Sequence, residues 1–311
     1  MPTAPVGRFA PSPTGTLHLG NLRTALVAWL SIRRAGGTFL LRIEDLDRDR
    51  SRPEHEAAQL RDLRAIGVDW DGEPVRQSDR AAAYDDAIDR LDRAGLLYPC
   101  WCTRAEIRDA ARAPHGDLPE GAYPGTCAHL DAAGRARRAA DADRPPALRV
   151  RADAARVTVE DRWRGPIAGT VDDFVVRRGD GTVAYNLAVV VDDGRQRIDE
   201  VVRGDDLASS APRQAWLAAT LGLPVPSYAH VPLVLGPDGR RLAKRDGAVT
   251  LADRAALGED AATVRGALAA SLGIVPPGSR PTPAELVAAF DPAVLVGRGP
   301  TRWDPVDGPL T

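Results

Sequence analysis

The sequence predicts an α/β fold: a parallel sheet with crossover helices is interrupted by an insertion, resumes, and is followed by a short helical C-terminal segment. Two observations carry that reading. Strand and helix patterns alternate over residues 1–98, the signature of a parallel sheet. From Cys100 to Asp172 the alternation gives way to cysteines, a Pro/Gly stretch and an Ala/Arg/Asp-rich region, after which strand and helix patterns return. At 311 residues the chain is long enough for about two domains.

Residues 6–10 read as a strand and are followed by the turn Pro11-Ser12-Pro13-Thr14-Gly15. A helix over 18–34 follows, because Leu19, Leu22, Ala25, Leu26, Trp29 and Leu30 recur at helical spacing. A strand over 38–43 ends in the acidic cluster Glu44-Asp45-Leu46-Asp47, and helices are predicted over 53–66 and 79–94. Beyond the insertion, 147–151, 174–178 and 183–191 read as strands, with Gly179-Asp180-Gly181 as a hairpin turn. A helix over 205–221 and an apolar strand over 230–235 lead to Gly236-Pro237-Asp238-Gly239. The tail holds helices over 261–272 and 282–290 and ends in Pro/Gly-rich coil. The expected organisation is a Rossmann-type α/β domain in two halves, 1–98 and 173–250, an insertion over 99–172, and a helical segment over 251–311. Open sheets of this kind bind ligands at the carboxyl ends of their strands, where both the Pro-Gly turn and the acidic cluster fall.

Composition narrows the partners. Hydrophobic content of 44% and charged content of 27% are ordinary for a globular enzyme. A net charge of −2 argues against a uniformly basic nucleic-acid binder, while Arg clusters still allow a local positive face. No apolar run approaches the ~18 residues of a membrane span, and the start lacks a secretory layout, so a cytoplasmic location with no membrane partner is expected. Three Cys, an odd number in a reducing compartment, do not make a disulfide framework.

Of 41 Lys and Arg residues only one, Lys244, is a lysine. It stands in Arg240-Arg241-Leu242-Ala243-Lys244-Arg245, beside glycines. A lysine offers a compact charge on a flexible stem, suited to a phosphate oxygen that moves. Its counterpart is the segment from Arg8 to Asn21, in which prolines stiffen the strand exit and a helix begins at His18 and Gly20. A helix N-terminus presents free N–H groups to a phosphate. His18 can donate to a phosphate oxygen, and Gly20 lets a flat base or ribose approach the backbone.

Pro11-Ser12-Pro13-Thr14-Gly15 with His18-Leu19-Gly20-Asn21 resembles the His-Ile-Gly-His region of class I aminoacyl-tRNA synthetases, in the form of the glutamate group. Arg241-Leu242-Ala243-Lys244-Arg245 takes the place of the Lys-Met-Ser-Lys-Ser loop. Arg42-Ile43-Glu44-Asp45-Leu46-Asp47 and Tyr185-Asn186-Leu187-Ala188 also match that group. The chain departs from the pattern at Asn21, Arg241, Ala243 and Arg245; of the loop only Lys244 keeps its type. The resemblance, over roughly residues 6 to 250, is to the short members that lack an anticodon-binding half. About 60 residues follow the lysine loop, too few for such a half.

The resemblance implies an ATP-dependent ligase that forms glutamyl-adenylate without tRNA and passes glutamate to queuosine in the anticodon of tRNA(Asp), acting as a monomer. His18 and Lys244 would be catalytic, and His18, Gly20, Asn21 and Lys244 would bind ATP, with Mg²⁺. Glutamate would be held by Arg8, Phe9, Ala10, Pro11, Ser12, Glu44, Tyr185 and Arg203. Glu44 suits an α-ammonium, and Arg8 and Arg203 suit carboxylates, which a guanidinium binds bidentately. Rival readings are a truncated glutamyl-tRNA synthetase charging a tRNA 3′ end, a nucleotidyltransferase of the same superfamily and a non-catalytic paralogue.

Cys100-Trp101-Cys102 and, further on, Tyr123-Pro124-Gly125-Thr126-Cys127 supply three thiolates and a phenol for a tetrahedral structural Zn²⁺. Chemistry alone ranks His115 or His129 above a tyrosine as fourth ligand. The resemblance reverses that order and favours Cys100, Cys102, Tyr123 and Cys127, in an insertion that corresponds to the region approaching the tRNA acceptor end in related enzymes.

Overall fold

The computed structural model describes residues 4–103, 105–107, 122–242 and 249–303. Its main sheet contains β1 (Val6–Phe9), β2 (Thr38–Ile43), β3 (Val75–Arg76), β6 (Ala155–Asp161), β7 (Gly165–Val171), β9 (Glu200–Gly204) and β10 (Ser227–Val231). A second sheet joins β4 (Leu97–Cys100), β5 (Ala147–Val150) and β8 (Val175–Arg177); β11 (Val234–Leu235) pairs with β12 (Thr301–Arg302). The main sheet runs β3-β2-β1-β9-β10-β6-β7, parallel throughout except for the β6–β7 hairpin. The chain thus builds outward from β1 to one side and later returns to its other side. This places a topological switch between β1 and β9, where a crevice opens beyond the strand ends. The α/β sheet and the C-terminal helical segment agree with the sequence-based expectation.

The helix Leu19–Arg34 crosses between β1 and β2. Its stripe of Leu19, Leu22, Leu26 and Leu30 has at most 1% exposure. At 16 residues it is too short to hold itself together in water, and this burial is what stabilises it. Its N-terminus is closed by a reciprocal cap. His18 Nδ1 accepts from the Asn21 backbone N–H at 3.2 Å, and Asn21 Oδ1 accepts from the His18 N–H at 3.3 Å. Gly36, at φ 67°, turns the chain out of the helix and into β2.

Three expectations are corrected. Residues 183–191 do not form a strand: Tyr185–Arg195 is a helix, and only Val183 bridges to Arg177. Leu187 to Asp193 are all buried there, so the helix shows no polar face, and its three valines imitate a strand. Residues 155–171 form the β6–β7 hairpin, which extends the main sheet although the segment falls within the expected 99–172 insertion. Its alternate positions were masked by the surrounding Ala/Arg bias. The coil expected after residue 290 contains β12, in which Thr301, and just after it Trp303, donate N–H bonds to the Leu233 and Leu235 carbonyls at 3.0 and 2.7 Å. Arg23, 1% exposed, ties the same region together through Thr301, Ser271 and the Pro232 carbonyl.

Candidate functional site

A cavity of about 540 Å³ lies at the carboxyl ends of β1 and β9. Its wall brings together the predicted residues Arg8, Phe9, Ala10, Pro11 and Ser12 with Glu44, Tyr185 and Arg203, and these with His18, Gly20 and Asn21. Gln59, 1% exposed, fixes the Pro-Gly turn by donating to the Ser12 and Gly15 carbonyls at 3.0 and 2.7 Å. Sequence reasoning had no signal for it beyond its place on a predicted helix. Lys244 lies outside the described residues, but both ends of its loop are placed. Leu242 N–H donates to the Val234 carbonyl at 3.0 Å, and the Val249 carbonyl accepts from Leu19 N–H at 2.8 Å, next to His18. Arg241, at the loop's start, pairs with Asp206 at 2.5 Å, and both line the cavity.

Burial and the neighbouring Arg241 charge push His18 down to about 4, so its imidazole is neutral near pH 7. Since Nδ1 accepts the helix-cap bond, the proton sits on Nε2, which leaves one N–H donor for the cavity. A Cβ added at Gly20 would come to 3.0 Å from the His18 Nδ1 and Cε1 atoms, so the ring would have to give by a few tenths of an ångström. Gly20 thus clears room for the imidazole itself. Asn21, expected at the nucleotide, commits its side-chain oxygen to the cap.

The other end of the cavity is ionic. Arg8 holds Asp193 bidentately, with Nε and Nη2 each 3.1 Å from a carboxylate oxygen. Arg42, without exposure, donates Nη1 to Asp193 at 2.7 Å and Nη2 to Glu44 at 3.3 Å. Burial raises the Glu44 carboxyl, against the pull of Arg42 and Arg8. The fork of Arg8 expected for a ligand carboxylate is therefore engaged within the protein, while Arg203 pairs with no carboxylate among the described residues. Arg203 is 5% exposed and bonds His230, Gln214 and the Leu207 carbonyl. Asp192 and Asp193 serve as buried ion-pair partners, Asp192 receiving bonds from Gln77, Arg80 and Tyr84. Sequence reasoning named Arg42 only as part of a motif and missed His230.

A second cavity of about 1000 Å³ shares Ser12, Glu44 and Tyr185 with the first, and Cys100, Cys102 and Arg178 help to line it. The sulfurs of Cys100, Cys102 and Cys127 all lie within 4.8 Å of one another. The Tyr123 hydroxyl stands 3.4 Å from Cys100 and 3.7 Å from Cys102, and accepts from the Cys127 N–H at 2.7 Å. Three soft sulfurs and a phenol at this spacing fit a tetrahedral zinc site. His129 takes no part in the cluster, and His115 lies outside the described residues.

Residues 6–273 match the family model of the catalytic domain of class I tRNA synthetases (E and Q). The chain is 61% identical over 289 residues to a glutamyl-Q tRNA(Asp) synthetase of Nocardia farcinica, covering 93% of this chain and 90% of that one. The chain belongs to the glutamyl-Q tRNA(Asp) synthetase family. A member from Symbiobacterium thermophilum is 49% identical over 308 residues and is covered to 95%, as is this chain. Among solved structures, glutamate-tRNA synthetase of Elizabethkingia anophelis superposes with a TM-score of 0.81 at 26% identity, over 97% of this chain and 68% of that one. A glutamate tRNA ligase of Elizabethkingia meningosepticum in complex with its amino acid gives 0.79 at 26% identity, over 95% of this chain and 66% of that one. The short glutamyl-Q family and the longer glutamate ligases thus share the fold that positions this cavity.

Proposed function

We propose that this chain activates L-glutamate with ATP to glutamyl-adenylate without tRNA, then transfers glutamate to queuosine at the wobble position of tRNA(Asp). Near-complete coverage by glutamyl-Q tRNA(Asp) synthetases supports the reading. The observation that carries it is the two-ended cavity, with an N–H donor at a helix N-terminus at one end and an Arg/carboxylate set at the other. Glu44 takes the α-ammonium of glutamate, Arg203 and Tyr185 take a carboxylate, and the Arg8 charge adds to the field. The α-carboxylate attacks the α-phosphorus of ATP; the bond to the bridging oxygen breaks and pyrophosphate leaves. The attacking group is already ionised, so no base is required, and charge stabilisation falls to the helix N-terminus, His18, Lys244 and the Mg²⁺ that accompanies ATP. An acceptor hydroxyl then attacks the carbonyl carbon, AMP leaves, and the hydroxyl proton passes to solvent. The second cavity, joined to the first along Ser12, Glu44 and Tyr185, provides the approach for that hydroxyl.

The insertion belongs to this acceptor side; its sheet of β4, β5 and β8 is separate from the catalytic sheet, which takes the β6–β7 hairpin, and the helices Ala261–Ala270 and Pro283–Ala289 pack on the helix Leu19–Arg34 of the first half. Cys100, Cys102, Cys127 and Tyr123 hold a Zn²⁺ that stiffens the insertion and takes no part in the reaction. Elemental analysis should find about one zinc per chain, lost in Cys127→Ser; a metal-free wild type removes this part of the reading. The described helices include none long and apolar enough to cross a membrane, and the reading places the enzyme in the cytoplasm as a monomer. ATP–pyrophosphate exchange should depend on glutamate and proceed without tRNA, and labelled glutamate should reach tRNA(Asp) only when queuosine is present. Exchange with no amino acid, or equal labelling of queuosine-free tRNA, would overturn the proposal.

A further inference from the structure

Arg203 reaches the cavity wall from a wholly internal hydrogen-bond chain. Asp161, at the end of β6, and His230, on β10, have no side-chain exposure and meet at 2.6 Å between Oδ2 and Nδ1. The same carboxylate accepts the backbone N–H groups of His230 at 3.0 Å, Trp163 at 3.0 Å and Arg164 at 2.9 Å. An anion held by that many donors accepts from Nδ1 as well, so the imidazole proton lies there. Burial also keeps His230 below the ordinary imidazole value, so the ring is neutral. Its Nε2 is left as a lone pair and accepts from Arg203 Nε at 3.0 Å.

The remaining contacts fix the guanidinium plane. Nη1 donates to Gln214 Oε1 at 2.5 Å, Nη2 to the Leu207 carbonyl at 3.1 Å, and Gln214 is itself anchored on Asn186 at 3.0 Å. The Tyr228 ring lies 5.3 Å from the guanidinium carbon and stacks parallel to His230 at 6.2 Å. With one N–H of each terminal nitrogen so used, each keeps a second that has no partner among the described residues. Two spare guanidinium donors suit a group with two acceptor oxygens, as a carboxylate has, whereas an amide offers one oxygen and one NH₂.

We infer that His230, oriented by Asp161, is a positioning residue that sets the Arg203 fork and with it the choice of a carboxylate over an amide in the amino-acid substrate. The inference rests on the proposed role of Arg203 in binding glutamate. A fork that swings by more than about 10–20° loses its bidentate geometry. In His230→Leu the Nε donor is orphaned and the fork is freed. Asp161→Asn keeps an oxygen for the Trp163 and Arg164 N–H groups but puts an NH₂ where Oδ2 had met the His230 N–H and Nδ1, which drives the imidazole into the wrong tautomer.

The test is glutamate-dependent ATP–pyrophosphate exchange by the full chain, with glutamine as competing substrate and the thermal midpoint as a fold control. Both variants should raise the glutamate KM about ten-fold or more and lower glutamate-over-glutamine preference by a similar factor. The KM for ATP should stay within about two-fold, as expected for a change confined to one ligand. His230→Gln, whose carbonyl oxygen reaches the position of Nε2, should recover most of the preference. Unchanged preference in folded His230→Leu overturns the inference. So does a uniform loss of stability and of both substrates' kinetics that His230→Gln does not rescue, since that marks plain packing. A wild type showing no glutamate dependence at all would instead remove the proposed function.

Discussion

The two ends of the first cavity are built in contrasting ways. Around Arg8, Arg42, Glu44, Asp193 and Arg203 the site is a mesh of buried ionic and polar contacts that cross-link β1, β2, β9 and the helix Tyr185–Arg195. Around His18 it consists of a helix cap, a neutral imidazole and a glycine, with Val249 bonded to Leu19 beside the cap. At the ionic end Arg8 and Arg42 have their counter-charges inside the protein and Arg203 is held by neutral acceptors, so this end is ordered before any ligand arrives. The cap end offers dipoles, and in the proposed reaction Lys244 supplies the positive charge there. This asymmetry agrees with activation that requires no tRNA to shape the amino-acid pocket.

Substitutions at the two ends should separate cleanly. Lys244→Ala is expected to have the largest effect, lowering the exchange rate about 10²–10³-fold while the glutamate KM stays within about three-fold. A matching rise in glutamate KM would mean that the ends are not independent. Arg42→Met removes the cation shared by Glu44 and Asp193, and should destabilise the fold by about 3–5 kcal/mol, read as a lower denaturant midpoint. A small change there would show that the mesh is not structural. Gly20→Ala should lower exchange about ten-fold by displacing the His18 ring, with stability little changed.

The smallest effect is one of pH. Because burial lowers His18 from 6.5 to about 4, its cap contribution is complete above the unfolded value and is lost as the pH falls through about 4. The KM for ATP should therefore show no imidazole inflection near 6.5 between pH 8 and 5.5. An inflection there would identify an imidazole that titrates as if exposed.

Local signals made much of this legible in the sequence. The stripe of Leu19, Leu22, Leu26 and Leu30 after the Pro-Gly turn gave the first helix almost residue by residue. The strand over 38–43 was read with the bounds that β2 has. The signature turn, Glu44 and Arg203 were found from motif and charge, and the structure gathers them in one wall. What escaped depends on distant partners. Valines 189–191 face burial on every side, which removes the periodicity that marks a helix. Asp193 meets Arg8 from 185 positions away, and Asp161 meets His230 from 69, so neither pairing leaves a trace in local spacing.

One feature of the tail reaches further. The amides of Thr301 and Trp303 are bonded to Leu233 and Leu235, and Leu233 forms part of the cavity wall. A nucleotide that steadies this wall steadies those amides too, and coupling between two sites acts equally in both directions. Slowed deuterium uptake at two positions remote in sequence from the signature turn would thus report occupancy without any label at the site itself.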